Sequence, residues 1–427
     1  MNIDVNKNAF KIDLPEDVKF VINQIEKNGH SAYAVGGCVR DTLLNKKPQD
    51  WDITTSALPT QVKSFFRRTI DTGIEHGTVT VMIDKTGYEV TTYRIDGEYK
   101  DGRHPESVEF SVRLSDDLSR RDFTINAMAY NETDGLVDEF GGITDLNNKI
   151  IRCVGVAKDR FSEDALRMMR AIRFSAQLGF DIEDSTMKAI YELAPTINKI
   201  SMERVHVELG KTLVSANPER CLLYSKTGLF KEILPLIDEA LTNKHVNKTL
   251  KALKHIPDDY DLNLTLRMRY ALLFSSLGSE SATKTLKDLK MDNVTIKLVA
   301  SIIDASQNEI AETEPAIREA LRRLGSDIFY LSLDYQKALT LAASDLTGIT
   351  NPVKLSHYEN LRKMAKEIID RGDCFSIKSL DISGNDLLEF GLSGKDIGKT
   401  LEYLLDLCIE NPRLNEKSTL ISMIPRD

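Results

Sequence analysis

A glycine pair followed closely by a carboxylate pair places the tightest limits on how this chain folds. Residues 33–41 read YAVGGCVRD and residues 50–52 read DWD. The apolar start of the first segment predicts a short strand over residues 32–35, the glycines a tight turn, and residues 39–44 a helix. A second strand is predicted over residues 51–55. Strand, turn, helix and strand in this order indicate an α/β unit.

The following residues continue this mixed pattern. A helix is predicted over residues 14–27, with Pro15 at its start. Residues 77–83 alternate as a strand does, and residues 88–94 return after a turn. From about residue 160 onward the apolar residues recur at helical spacing. We therefore expect an α/β head that carries a long all-helical extension.

Composition limits the class of protein. At 427 residues the chain predicts several domains. It is 41% hydrophobic and 28% charged, without an apolar run as long as a membrane span or the start of a signal peptide. The five cysteines lack CxxC spacing, which favours reduced thiols over a zinc site. Together these features predict a cytoplasmic protein that does not enter a membrane.

Asp50 and Asp52 are the candidate catalytic metal ligands. Residues i and i+2 of a strand point to the same side, so both carboxylates can face one site. Mg²⁺ prefers oxygen ligands, and two such ions beside a triphosphate support transfer of a nucleotidyl group to a hydroxyl. Glu89, on the returning strand of the predicted hairpin, is a candidate third catalytic carboxylate. The alternative is that Asp50 and Asp52 cap the loop before Ile53 and that Glu89 takes no part.

Gly36, Gly37 and Arg40 are candidate phosphate ligands. Without a Cβ, the two glycines let backbone N–H groups approach a triphosphate. Arg40 lies in the first turn of the predicted helix, where its guanidinium can bind phosphate through two hydrogen bonds. The chain has no Walker motif, so P-loop chemistry is not expected.

A second cluster lies in the segment RRDFTIN at residues 120–126. Its candidate nucleotide-binding residues are Arg121, Asp122 and Asn126. Arginine suits a phosphate group, and the Asp122 carboxylate suits a ribose hydroxyl. Such charged triples are also common on surfaces, so this spacing alone does not establish a site.

A third cluster steps by three residues along a predicted helix. Its members are Asp164, Arg167, Arg170 and Arg173. This spacing is also that of an ordinary salt-bridged helix face. A carboxylate that only accepts and a guanidinium that only donates match the pairing edges of cytosine and adenine and oppose those of uracil and guanine. Because mispaired polar groups in a buried site are costly, Asp164 beside Arg167 can discriminate strongly between bases.

In this order, the motifs resemble those of the class II nucleotidyltransferases of the polymerase-β superfamily, which include bacterial CCA-adding enzymes and bacterial poly(A) polymerases. GGCVRD with DWD resembles the first family motif, and RRD at 120–122 the second. DEFGGITDL at 138–146 resembles the third, taken as a hinge, and EDALRMMRAIRF at 163–174 the fourth, which reads the base. SMERV from residue 201 resembles the fifth, and residues 382–415 are similar to the family tail.

The resemblance implies an architecture and an activity. The head would span residues 1–150, a helical neck with the base-recognition motif 151–215, a helical body 216–310, and a helical tail that binds tRNA 311–427. The activity would be Mg²⁺-dependent, template-independent addition of C, C and A to the tRNA 3′ end from CTP and ATP. The partner would be the acceptor arm and 3′ end of tRNA, and the chain a monomer or homodimer. Because its net charge is −9, local basic patches would have to contact the RNA.

The resemblance also assigns roles residue by residue. The residues that would bind the triphosphate and its magnesium are Gly37, Arg40, Asp50, Asp52 and Arg121. The residues that would contact the sugar and base, or support their site, are Asp122, Asp164, Arg167, Arg170 and Arg173. Residues 96–105 resemble the flexible loop with which CCA-adding enzymes change from C to A; the alternative is an inert connection between strands.

Other activities within this family stay open. They are addition of A alone, addition of CC alone, and poly(A) synthesis. The loop at residues 96–105 argues against CC addition alone, and the acidic composition argues against a poly(A) polymerase with a basic extension. A non-catalytic RNA-binding relative is a further alternative, which the intact Asp50 and Asp52 disfavour. The chain contains no His-Asp dipeptide, so the phosphohydrolase activity of many relatives is not expected.

Overall fold

The computed structural model of the protein describes residues 11–97 and 108–425. It divides into two compact units, unit 1 up to Pro235 and unit 2 from Leu236 onward. All the strands described below lie in unit 1, and the described residues of unit 2 form helices and their connections. The loop predicted at residues 96–105 lies outside the described residues from residue 98 onward.

A mixed β-sheet organises unit 1. The described strands are β1 (Ala32–Val35), β2 (Ile53–Thr55), β3 (Thr69–Gly73), β4 (Thr78–Ile83), β5 (Thr86–Thr92), β6 (Arg94–Asp96), β7 (Val108–Phe110), β8 (Met128–Asn131), β9 (Gly135–Asp138), β10 (Ile150–Ile151) and β11 (Asp181–Ile182). Seven of them form one sheet in the order β3-β4-β5-β2-β1-β8-β9. β5 runs parallel to β2, whereas the other neighbours in this sheet are antiparallel. The prediction of a mixed sheet is confirmed.

Helices flank this sheet and follow it. Those of unit 1 are α1 (Glu16–Lys27), α2 (Gly37–Leu43), α3 (Pro59–Phe65), α4 (Leu114–Ser119), α5 (Gly142–Asn148), α6 (Ala157–Glu163), α7 (Leu166–Leu178), α8 (Asp184–Leu193), α9 (Met202–Leu213), α10 (Leu222–Lys226) and α11 (Leu229–Ile233). Pro15 precedes α1, where its missing N–H costs nothing. The buried side chains of α1 recur at the spacing of an amphipathic helix: Val18, Val21, Ile22 and Ile25.

The break between α6 and α7 corrects the prediction that the third cluster shares one helix. α6 ends at Glu163, and Asp164 has extended backbone angles (φ −140°, ψ 104°). The Asp164 carboxylate accepts a hydrogen bond from the backbone N–H of Leu166 at 3.0 Å. Short acidic side chains compete in this way with helical hydrogen bonding. The three arginines of the cluster lie on α7, and Asp164 lies just before it.

Unit 2 is described separately. Its helices are α12 (Pro235–Thr242, which begins at the last residue of unit 1), α13 (Val246–Ala252), α14 (Leu262–Leu273), α15 (Gly278–Asp288), α16 (Asn293–Ala305), α17 (Glu314–Thr347), α18 (Pro352–Asp370), α19 (Gly384–Glu389), α20 (Lys395–Glu410) and α21 (Lys417–Ser422). α17 is interrupted at Gly325, whose φ of 73° is not helical. Two apolar clusters hold this unit, one between α17 and α18 and one around α20.

Two further expectations concern the chain as a whole. None of the helices in the part that the structure describes is both long and apolar enough to cross a bilayer. The five cysteines all lie in the described part, where each is buried and free of a disulfide.

Candidate active site

The turn between β1 and α2 requires glycine at Gly36 for two reasons. Its backbone lies in the positive-φ region (φ 83°, ψ −125°), which side chains with a Cβ rarely adopt. A Cβ there would also lie 2.8 Å from Nη1 of Arg121, which is closer than non-bonded atoms approach. The Gly36 N–H donates to the Met128 carbonyl at 3.0 Å, so the turn is anchored to β8. The tight turn therefore brings the second cluster against the first.

Arg121 lies between this turn and the carboxylate pair. Its Nη1 is the atom next to Gly36, and its positive charge acts to lower the pKa of Asp52. Its Nη2 makes a long contact of 3.3 Å with Asp117, and its Nε is buried without a hydrogen-bond partner. A buried donor without a partner is costly. The Nε itself is closed to solvent, so a phosphate oxygen of a nucleotide would contact the 20% of the Arg121 side chain that is exposed.

The three candidate catalytic carboxylates lie at one end of neighbouring strands. β2 begins at Ile53, so Asp50 and Asp52 precede the strand, which corrects their predicted position on it. β2 and β5 are parallel, with Ile53 opposite Val90. The residues one position earlier, Asp52 and Glu89, are therefore neighbours across the two strands. The structure brings Glu89 to the carboxylate pair, as the sequence suggests.

Electrostatics tie these carboxylates together. Desolvation by the surrounding protein atoms raises the pKa of Asp52; attraction from Arg121 opposes this shift, and repulsion from Asp50 adds to it. Desolvation, followed by repulsion from Asp52 and Asp50, raises the pKa of Glu89. Asp52 remains open to solvent as a whole residue, so this desolvation is partial. Like charges held this close favour a bound cation, which would neutralise them.

The donor set fits magnesium that shares its coordination with a nucleotide. Across residues 11–97 and 108–425, no three His, Cys, Asp or Glu side chains converge closely enough to form a complete ligand group. Magnesium needs fewer protein ligands, because one or two carboxylates commonly hold it together with substrate phosphates. Asp50 and Asp52 supply hard oxygen donors of the kind that it prefers.

Arg40 lies behind the glycine turn, although the sequence suggests a phosphate contact for it. Its guanidinium is buried, and Nη1 donates to Oδ1 of Asn126 at 2.6 Å. Its Nε donates to Asp41 at 2.8 Å, and the group lies 5.1 Å from the ring centroid of Phe174. In this structure Arg40 thus links the turn to the second and third clusters.

Asp122 is the centre of a buried polar network. Only 8% of the residue is exposed, and its Oδ1 accepts from Nδ2 of Asn126 at 3.1 Å. Its Oδ2 accepts from Nε and Nη2 of Arg170 at 2.8 and 2.6 Å. Burial acts to raise the pKa of Asp122, but the charge of Arg170 and the Asn126 hydrogen bond outweigh it and hold that pKa at about 2. The carboxylate is therefore firmly ionised and fully engaged.

Glu208 extends this network and carries a role that the sequence analysis missed. It lies on α9, is 4% exposed, and pairs with Arg173 and, at 3.7 Å, with Arg170. Arg173 also donates to Gln177 at 2.7 Å. A signal was present in the sequence, because Glu208 interrupts the apolar face of an otherwise amphipathic helix. An acidic residue on such a face predicts a buried cationic partner.

Asp164 and Arg167, the candidate base-reading residues, each form hydrogen bonds with a different neighbouring residue. Oδ2 of Asp164 accepts from Nη2 of Arg204 at 2.7 Å. Nη1 of Arg167 donates to Glu163 at 2.6 Å, and its Nη2 donates to the Arg120 carbonyl at 3.0 Å. The sequence analysis placed Arg204 in a motif without a role. The structure gives it one, as the partner that orients Asp164.

A known enzyme resembles this chain over most of its length. The CCA-adding enzyme of Leuconostoc mesenteroides subsp. mesenteroides is 36% identical over 406 residues, which are 95% of this chain and 94% of that enzyme. The chain belongs to the family of CCA-adding enzymes. A second CCA-adding enzyme, from Limosilactobacillus reuteri, is 42% identical over 293 residues, 68% of this chain and 71% of that enzyme.

Family models and a solved structure agree with this membership. The model described as "Poly A polymerase head domain" matches residues 32–152. "Probable RNA and SrmB- binding site of polymerase A" matches 179–241, and "tRNA nucleotidyltransferase domain 2 putative" matches 265–424. The crystal structure of the Bacillus stearothermophilus CCA-adding enzyme in complex with CTP is 31% identical, with a TM-score of 0.76 over 96% of this chain and 98% of that chain. The predicted fold, a nucleotidyltransferase head followed by helical regions, is confirmed.

Proposed function

We propose that this protein adds C, C and A in turn to the 3′ end of tRNA, using CTP and ATP and releasing pyrophosphate. The observation that carries the proposal is the position of Arg121. It lies against the Gly36 turn, acts electrostatically on Asp52 and keeps 20% of its side chain exposed. This arrangement suits a triphosphate bound between a glycine turn and a carboxylate pair. The CCA-adding relatives supply the substrate class.

In this proposal the carboxylates and the glycine turn align the reacting groups. The tRNA 3′-hydroxyl loses its proton to solvent, and its oxygen forms a bond to the α-phosphorus while the bond from that phosphorus to the bridging oxygen breaks and pyrophosphate leaves. Magnesium, when bound, polarises the attacking hydroxyl and the α-phosphate. Asp50 and Asp52 hold the metal, and Glu89 adds a third negative charge beside them. Gly36 and Gly37 give backbone N–H groups access to the phosphates.

Asp164 and Arg167 read the base. A carboxylate oxygen has two lone pairs, so Asp164 can accept from a base amino group while it keeps Arg204. A guanidinium has five N–H donors, so Arg167 can donate to a ring nitrogen while it keeps Glu163. Uracil and guanine instead present a carbonyl acceptor to Asp164 and a ring N–H donor to Arg167, so neither group could form its hydrogen bond. Asp122, Asn126, Arg170 and Arg173 support this site as the buried network behind it.

The experiment that tests the proposal uses three tRNA transcripts, ending before CCA, after C and after CC. Purified protein with Mg²⁺ is given each nucleoside triphosphate alone and then CTP with ATP, and the products are resolved by length. The expected result is that the transcript ending before CCA gains three residues only when CTP and ATP are both present. UTP and GTP should not be incorporated. Addition of A to the CC-ended transcript alone would reduce the activity to A addition. A long A tail would make the protein a poly(A) polymerase, and no product on any transcript would refute the proposal.

A further inference from the structure

A cavity of about 610 Å³ lies in unit 1, apart from the residues of the candidate active site. It is an open cavity between α1, the end of α3, the residues that connect α3 to β3, and the turn between β4 and β5. The lining residues that matter here are Phe20, Phe65, Phe66, Arg67, Arg68 and Met82.

The wall of the cavity is aromatic and open to water. Phe20 is 52% exposed, although it belongs to a helix whose other apolar side chains face the core. Its ring lies 6.3 Å from that of Phe66, and the two planes meet at 70°. Exposing an aromatic face costs free energy that burial against a ligand would recover. The two rings offer a nucleobase one face to stack on and an edge to contact.

The rim of the cavity is cationic. Arg67 and Arg68 are exposed, and neither side chain forms an ion pair or hydrogen bond within residues 11–97 and 108–425. The one carboxylate that lines the cavity is that of Asp84. Gln24 also lines it, but its amide donates to the Phe65 carbonyl at 3.4 Å. Free guanidinium groups beside exposed aromatic rings are the combination that binds single-stranded nucleic acid.

The cavity, which Phe20 of α1 lines, and the Glu89 side chain lie on opposite faces of the same sheet. In the β4–β5 hairpin, Thr80 pairs with Glu89 and Met82 pairs with Gly87. Met82 is therefore about 7 Å further along the sheet than Glu89. Tyr88 bonds to Asp17 of α1, so Glu89 points to the face opposite α1. RNA bound in the cavity would therefore lie behind the face of the sheet that carries the carboxylates.

We propose that this cavity binds a single-stranded segment of the RNA substrate, with a base stacked on Phe20 and Phe66 and phosphates at Arg67 and Arg68. The inference rests on the proposed function for the identity of the RNA. The charge of the rim favours RNA over a polypeptide, because free arginines complement a continuous line of phosphates. The aromatic wall would favour an unpaired stretch, whose bases are free to stack.

The test measures binding of the tRNA transcript that ends after CC to the full chain, by fluorescence anisotropy at several salt concentrations. The Arg67→Gln/Arg68→Gln double variant should weaken the affinity about tenfold at low salt. It should also reduce the slope of log K against log salt by about 0.7 for each lost phosphate contact. Lys85→Gln removes a charge from the turn between β4 and β5, outside the residues that line the cavity. This variant is the control and should change neither quantity.

Substitutions at Phe20 separate stacking from simple apolar burial. Phe20→Ala should weaken tRNA binding about fivefold or more, and Phe20→Trp should retain it, because stacking contributes roughly 1–3 kcal/mol per base. Phe20→Leu keeps apolar area but no ring, so it should behave like alanine. The catalytic rate at saturating tRNA and CTP should stay unchanged in all these variants, whose thermal unfolding is measured alongside.

Several outcomes would overturn the inference. One is an unchanged affinity and salt slope in the double arginine variant. Another is full binding by Phe20→Leu, which would show an apolar contact without stacking. A change in oligomeric state on size exclusion, with tRNA affinity intact, would assign the cavity to a protein interface. Wild-type protein that binds tRNA but adds no nucleotide would refute the proposed function and leave this binding test valid.

Discussion

The two halves of the candidate active site are built in opposite ways. The phosphate half, formed by Gly36, Asp50, Asp52, Glu89 and Arg121, has exposed carboxylates and a buried N–H without a partner. The base-side network around Asp122 is buried, and its carboxylates are paired with arginines. The first half is left for a ligand to complete, whereas the second is complete without one. Substitutions in the first half should therefore impair chemistry, and substitutions in the second should impair folding.

The largest expected effect comes from Asp52→Asn in the phosphate half. Loss of a metal ligand and its charge should lower incorporation by about 100- to 1,000-fold. The midpoint of thermal unfolding should rise slightly, because the substitution removes a desolvated charge beside Asp50 and Glu89. Single-nucleotide incorporation into tRNA measures the first quantity and calorimetry the second. Glu75→Gln, an exposed carboxylate of the same unit, is the control. Wild-type activity in Asp52→Asn would remove Asp52 from the proposed metal site.

Asp122→Asn should have the opposite profile. It leaves the buried guanidinium of Arg170 without its carboxylate, so the free energy of unfolding should fall by about 3–5 kcal/mol. Urea denaturation measures this loss. If Asp122→Asn is as stable as the wild type while activity is lost, Asp122 belongs to the ligand-binding half and the contrast fails.

The pH dependence of unfolding tests the same ion pair. In the folded chain the pKa of Asp122 is held at about 2, below the value of about 3.9 for an unfolded aspartate. Ionised Asp122 thus contributes stability above about pH 4, and this contribution is lost as the pH falls toward 2. The wild type should lose more stability than Asp122→Asn across this window. Parallel stability curves for the two proteins would contradict the assignment.

Gly36→Ala tests how closely Arg121 must approach the turn. The new Cβ would displace Nη1 of Arg121, so kcat/KM for CTP should fall by about 10- to 100-fold. Gly29→Ala is a matched control, because Gly29 has the same φ of 83° and a Cβ added to it would have no other atom within 4 Å. Gly29→Ala should lose about 1–2 kcal/mol of stability from backbone strain, and Gly36→Ala should lose more, because its ψ of −125° lies outside the left-handed helical region. Equal activity in the two variants would show that the contact with Arg121 is unimportant.

The smallest expected effect comes from Arg204→Gln. This variant tests whether a residue next to the buried network can affect base discrimination without affecting stability. Asp164 would keep its hydrogen bond to the Leu166 N–H but lose the guanidinium that orients its second oxygen. Discrimination of CTP against UTP should fall by about tenfold, while stability stays near that of the wild type. Competition assays with both nucleotides measure the ratio, with Glu203→Gln on the same helix as control. Unchanged discrimination would separate Arg204 from base reading.

Local chemistry explains what the sequence could predict. The first strand, the glycine turn and α2 follow from residues within one short segment, because apolar alternation and glycine act over a few positions. The approach of Glu89 to Asp52 depends instead on the parallel pairing of β2 with β5, and the register of the β4–β5 hairpin alone does not fix it. The placement of the chain in its family rests on five such local motifs in order.

Contacts between distant segments explain what it could not predict. Asp164 and Arg204 are forty positions apart, and nothing in either segment marks them as partners. The helix break at Asp164 was missed because its neighbours, Glu163 and Ala165, are good helix formers. Arg40 looks like a surface arginine beside a glycine turn, yet packing against Asn126 and Phe174 buries it. Burial decides such roles, and it depends on the whole fold.

Phe174 is a position at which few substitutions should be tolerated during evolution. The guanidinium groups of Arg40, Arg170 and Arg173 lie 5.1, 5.4 and 3.9 Å from its ring centroid. An aromatic face carries negative charge density that offsets repulsion between these cations, and an aliphatic side chain of similar volume does not. We therefore expect homologous sequences to carry only aromatic residues at this position. A residue with no assigned contact to substrate would then vary as little as a catalytic one.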